Sequence, residues 1–145
     1  MIPKTFNADV EIKAKWKDQR IVFKNLASHG NVFDKFWQDK LWLPPLYFSN
    51  TKEDLSILDG DTVSVEVQRQ GKPGFESWQL NECTYYLGDE NELVLYSKTE
   101  CTFRCQFELS NFPFDVQKCS IDVMVPYEIR NYTTLKPEQL IYKGN

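Results

Sequence analysis

Two cysteines, Cys105 and Cys119, bracket thirteen residues that read Gln-Phe-Glu-Leu-Ser-Asn-Phe-Pro-Phe-Asp-Val-Gln-Lys. No other stretch constrains the fold as much. In Cys101-Thr102-Phe103-Arg104-Cys105-Gln106-Phe107-Glu108-Leu109 every odd position is apolar. In Cys119-Ser120-Ile121-Asp122-Val123-Met124-Val125 the odd positions are apolar again, with Met124 as an extra greasy residue. Alternation of this kind marks strands with one buried face and puts both cysteines on it. Asn111-Phe112-Pro113-Phe114-Asp115 breaks the pattern, and Pro113 cannot sit in a regular ladder. The expectation is two strands tied by a disulfide around an aromatic, proline-containing loop. A covalent loop of that size stabilises a fold by roughly 3 kcal/mol. Its Phe-Pro-Phe tip either folds back onto the core or docks on something else.

The remaining sequence reads as short strands with frequent turns. Val10, Ile12, Ala14 and Trp16 alternate with Glu11, Lys13 and Lys15, and Val63, Val65 and Val67 alternate with Ser64, Glu66 and Gln68. Ile21-Val22-Phe23 is a further short strand. Tyr85-Tyr86-Leu87 and Leu93-Val94-Leu95-Tyr96 flank Gly88-Asp89-Glu90-Asn91, which reads as a hairpin turn. Only Val32 to Lys40 looks helical, and Gln70-Gly71-Lys72-Pro73-Gly74 is a loop. Trp16 and Trp42 are expected in the core. The class is all-β, a single immunoglobulin-like sandwich over residues 1–145.

The 145 residues suffice for one core but not two. The net charge is −4 and no basic cluster is present, so no nucleic-acid partner is expected. No apolar run approaches the length of a bilayer crossing, and no signal peptide is visible. No catalytic constellation appears: His29 stands in a loop without an orienting acid, and the cysteine spacing does not form zinc knuckles. Neither an enzyme, a cofactor nor a metal is expected. Four cysteines point to an oxidising compartment, and Asn131-Tyr132-Thr133 is a glycosylation sequon.

The cysteine spacing together with Phe-Pro-Phe-Asp-Val-Gln resembles the signature loop of the Cys-loop pentameric ligand-gated ion channels, which include the nicotinic, serotonin, glycine and GABA receptors. Two further segments agree in order. Trp16-Lys17-Asp18-Gln19-Arg20-Ile21 is similar to the family's Trp-x-Asp-x-Arg-Leu strand. Leu41-Trp42-Leu43-Pro44-Pro45-Leu46-Tyr47-Phe48-Ser49-Asn50 is similar to its Ile-Trp-x-Pro-Asp segment closing on Asn, with Pro45 in place of the acid. The resemblance runs from about Phe6 to the end. It implies a partial extracellular ligand-binding domain, lacking the family's N-terminal helix and last strands. The parent would be a receptor on the extracellular face of the plasma membrane, anchored by a transmembrane domain outside this chain. The alternative is a soluble secreted protein of the same fold, similar to acetylcholine-binding proteins. An immunoglobulin-like adhesion domain is disfavoured, because no Trp lies between Cys105 and Cys119.

The resemblance also implies a small-molecule ligand at the interfaces of a homo- or hetero-pentamer, held in a box of aromatic rings. Such rings hold a cation with about 2 kcal/mol or more each when desolvated. Carried over residue by residue, the principal half offers Ser49, where nicotinic receptors have Tyr, and Pro126 with Tyr127 beside it. The complementary half offers Glu11, Lys13, Val94 and Tyr96. Phe48-Ser49-Asn50-Thr51-Lys52 is closer to the Phe-x-Asn-x-Lys run of the glycine and GABA branch. Acetylcholine is therefore expected to bind poorly, and no ligand is named. Phe112, Pro113, Phe114 and Asp115 correspond to the loop that couples binding to gating. Cys83 and Cys101 remain: either they bridge neighbouring strands or both are buried free thiols, and the bridge is the favoured expectation.

Overall fold

The structure, a computed structural model, describes residues 4–70, 75–76, 83–105, 110–114 and 118–141. Its centre is a four-stranded antiparallel sheet, ordered β1-β9-β6-β3. Strand β1 is Lys4–Trp16 and β9 is Glu92–Cys105. They pair along their whole length, from Lys4 opposite Cys105 to Trp16 opposite Leu93. Strand β6, Thr62–Gln68, pairs with the other edge of β9, and β3, Asn31–Val32, closes the sheet on β6. Alternation explains these strands. The even residues of β1 from Phe6 to Trp16 are half-buried and the odd ones exposed. On β9 the odd residues, among them Leu93, Leu95, Phe103 and Cys105, turn inward.

Two small sheets cover the inward face. One is ordered β10-β4-β5, from Val123–Met124, Tyr47–Phe48 and Leu55–Ser56. The other is ordered β2-β8-β7, from Val22–Lys24, Thr84–Leu87 and Phe75–Glu76. Phe103 sits where the layers meet. It is fully buried, stacked on Phe6 with centroids 5.4 Å apart and edge-on to Phe48 at 5.4 Å. Phe23, Tyr86, Ile57, Val65 and Leu95 complete the core. The fold is the all-β sandwich the sequence implies.

Among the described residues helix is nearly absent. The helical reading over 32–40 shortens to α1, Lys35–Gln38, capped by the Asp34 carboxylate, which accepts from Trp37 N at 3.0 Å. A 3₁₀ turn spans Ile57–Asp59 and another Tyr127–Ile129. Among the described residues no helix is long and apolar enough to cross a membrane.

Three expectations are corrected here. Gly88–Asn91 is not a hairpin between paired strands: β8 and β9 belong to different sheets, and the turn carries the chain across the sandwich. Buried Asn91 holds this corner, donating to Leu87 O at 2.8 Å and accepting from Gln70 N at 3.1 Å. The Trp16–Ile21 motif packs beneath it. Gly88 N donates to Ile21 O at 2.9 Å, and any Cβ on Gly88 would run into the carbonyls of Asp18 and Ile21. Second, the strand expected from Cys119 to Val125 contracts to the two residues of β10, and Cys119 is exposed. Its pairing partner is the equally short β4, so alternation has nothing to face before Val123. Third, Trp42 is exposed rather than core. It packs edge-on against half-buried Trp16 at 6.2 Å, leaving its outer side in solvent.

The bridge between Cys83 and Cys101 does not form, and both are free thiols. Cys83 precedes β8 in one sheet while Cys101 lies far along β9 in another. Measured from the corner at 88–91, the two differ by about five residues of strand, roughly 16 Å. A disulfide tolerates a Cα separation of only about 7 Å. The loop reading at 70–74 falls, beyond Gln70, outside the described residues.

Candidate ligand face and disulfide loop

The long sheet has two faces, and its outer face gathers the candidates of the complementary half. Register does this. Lys13 is opposite Tyr96, Glu11 opposite Lys98 and Lys15 opposite Val94 on the β1 side of β9. Across the other side, Ser64 is opposite Tyr96 and Glu66 opposite Val94. The Lys13 ammonium lies 5.5 Å from the centre of the Tyr96 ring, within cation–π range. The Tyr96 hydroxyl donates to Glu66 Oε1 at 2.9 Å. Burial and then the Glu66 carboxylate push the Tyr96 phenol above its ordinary value, so it stays a neutral donor. Glu11 and Lys98 approach to 3.9 Å in solvent.

Glu11, Lys13 and Tyr96 thus stand together as side chains accessible to a partner. Val94 is fully buried and backs the face rather than lining it. The sequence reading missed Glu66, which fixes the Tyr96 hydroxyl. The alternation of β6 marks Glu66 as outward, but only the register brings it beside Tyr96.

The candidates of the principal half lie elsewhere. Ser49 is half-buried at the end of β4 and its N–H donates to Asp122 O at 3.0 Å. Pro126 caps the second 3₁₀ turn, and Tyr127 in that turn is 80% exposed with the Arg130 guanidinium 5.8 Å from its ring. No hydrogen bond or ring contact between described residues joins Ser49 to Tyr127. Two open clefts do not coincide with either half. One of about 450 Å³ is lined by Asn50, Arg104, the disulfide, Lys118, Ser120 and Asp122; another of about 400 Å³ lies by Arg20, Lys40 and Trp42.

Cys105 and Cys119 are bonded, with Cα atoms 5.3 Å apart. Buried Cys105 ends β9 and exposed Cys119 begins the returning arm. Phe112 is 73% and Phe114 90% exposed, so the tip does not fold back onto the core. Asp115 lies outside the described residues. Asn131 is exposed in a turn closed by Tyr132 N and Thr133 N on Ile129 O.

The family model of the neurotransmitter-gated ion-channel ligand binding domain matches residues 2–126. The human and rat gamma-aminobutyric acid receptor subunits rho-1 are each 27% identical over 144 residues, covering 97% of this chain and 24% of theirs. The human subunit rho-2 is 23% identical over 141 residues, covering 97% of this chain and 25% of its own. The chain spans about a quarter of the length of these curated relatives. Among solved structures there is no significant match. A match over that much of the chain, on a sandwich whose longest strand ends in the disulfide loop, means that the chain belongs to the family of neurotransmitter-gated ion-channel ligand-binding domains, which are receptor modules and not enzymes.

Proposed function

We propose that this domain recognises a small zwitterionic ligand at the interface between neighbouring subunits of a pentameric channel, with its outer β1-β9-β6 face as the complementary half. The observation that carries the reading is the convergence of Glu11, Lys13 and Tyr96 on that face. Lys13 is an exposed cation, suited to a ligand carboxylate. Glu11 and the Tyr96–Glu66 pair supply acceptors for an ammonium group. The relatives are named for gamma-aminobutyric acid, a molecule with both groups. Ser49, where the nicotinic pattern has Tyr, argues against an acetylcholine-type cage.

In this reading Ser49, Pro126 and Tyr127 belong to the principal half on the neighbouring subunit. The domain faces the extracellular side, Asn131 carries a glycan, and the Phe112–Phe114 tip hands the binding signal to the channel. Electrophysiology on the full-length receptor tests it, with gamma-aminobutyric acid as the probe. Lys13→Ala should raise the half-maximal concentration by about tenfold or more, as loss of a charge-assisted hydrogen bond implies. An unchanged concentration–response curve overturns the assignment.

A further inference from the structure

We propose that Asn50 is a positioning residue that clasps the neck of the disulfide loop to the ligand-side segment, so that movement at Ser49 reaches the exposed tip. This rests on the ligand-recognition reading above for the origin of the movement, but not for the clasp itself.

The neck has two arms, Arg104–Cys105 leaving β9 and Cys119–Asp122 returning. The disulfide joins the arms to each other. Asn50 joins both to the end of β4. Its side-chain amide donates to Ser120 O at 2.6 Å and, more weakly, to Arg104 O at 3.4 Å. Its side-chain oxygen accepts from Asp122 N at 3.0 Å. Its main-chain oxygen accepts from Arg104 N at 2.7 Å. The preceding residue adds Ser49 N to Asp122 O at 3.0 Å.

The returning arm from Lys118 to Asp122 has no strand pairing among the described residues, so these bonds position it. The chemistry selects asparagine. The site requires a donor and an acceptor from one short side chain at once, and a carboxylate supplies acceptors only. An aspartate would still accept from Asp122 N but would set an anionic oxygen against the Ser120 carbonyl. An alanine would release both. Because Ser49 and Asn50 are adjacent, a ligand that shifts Ser49 must move the neck or break the clasp. That is the physical link between two sites that coupling requires.

The experiment has two arms. Hydrogen exchange on this domain reads the clasp directly. Asn50→Ala should speed exchange of the Asp122 amide by about tenfold, and Asn50→Asp should leave it near wild type, while amides of Leu95 and Val65 stay protected in both as proof of folding. Equal protection of Asp122 in wild type and Asn50→Ala overturns the clasp. In the full-length receptor, both variants should keep binding of radiolabelled gamma-aminobutyric acid within about threefold and lower the maximal current by about tenfold. Normal currents, or binding and current lost together, overturn the transmission role. A wild-type receptor that neither binds nor responds to the probe counts against the ligand reading, while the exchange arm still decides the clasp.

Discussion

The long sheet and the disulfide-loop neck are held by different physics. β1 and β9 share a thirteen-pair register and a continuous apolar face. Each pair supports the next, and a slip of one residue would turn every buried side chain outward. The neck has no such ladder on its returning arm among the described residues. Its neighbours β4 and β10 pair through two residues, and its returning arm is exposed. It is fixed by one covalent bond, by the side chain of Asn50 and by main-chain bonds to Ser49 and Asn50. A ladder resists small displacements everywhere, whereas a neck held at a few points moves as a unit. In the proposed function the wall presents the ligand contacts and the neck is the lever that reports on them.

This contrast is testable, beginning at the point the two regions share. Phe103→Ala should cost about 3–5 kcal/mol in urea unfolding, because it removes a fully buried ring wedged between the sheets. A loss below 1 kcal/mol would mean that the layers are not packed through it. Replacing Cys105 and Cys119 with Ala should cost roughly 3 kcal/mol. Exchange protection in β1 and β9 should persist below the transition, and general loss there would erase the distinction between wall and lever.

The Trp16–Ile21 corner gives a pH signature. Arg20 donates to the buried Asp18 carboxylate from N, Nε and Nη2 at 2.8–3.0 Å, which holds the acid below its ordinary 3.8. A lowered folded-state value means a contribution that is complete above the unfolded value and is lost as pH falls through the folded one. Stability of the wild type should therefore fall more steeply below about pH 4 than that of Asp18→Asn. Parallel pH curves would show that the pair contributes nothing. The smallest effect belongs to the ligand face: Glu11→Gln should change stability by under about 0.5 kcal/mol, since the Glu11–Lys98 pair is exposed. A larger loss would mean that this face is structural and not free for a ligand.

Some of this was legible in the residues. Alternation in β1, β6 and β9 follows from burial of one sheet face, so it survives translation into sequence. The disulfide was legible from its spacing, and the resemblance of its loop pointed to the family. Alternation misled at Cys119–Val125. A polar–apolar repeat says which face turns inward only if a partner strand is present, and Asn50 intercepts the arm before Phe48 pairs with Val123. It misled again at 85–96, because two good strands around a tight turn read alike whether they pair or cross between sheets.

What the sequence determined by itself is local: strand phase, the closed loop, and the residue types available to a ligand. Which side chains meet was decided only by tertiary structure. Tyr96 finds Glu66 thirty positions away and Asn50 finds Ser120 seventy positions away. Such pairs depend on register and on how the layers stack. Register is set cooperatively by all the pairs of a ladder, and no single residue carries it.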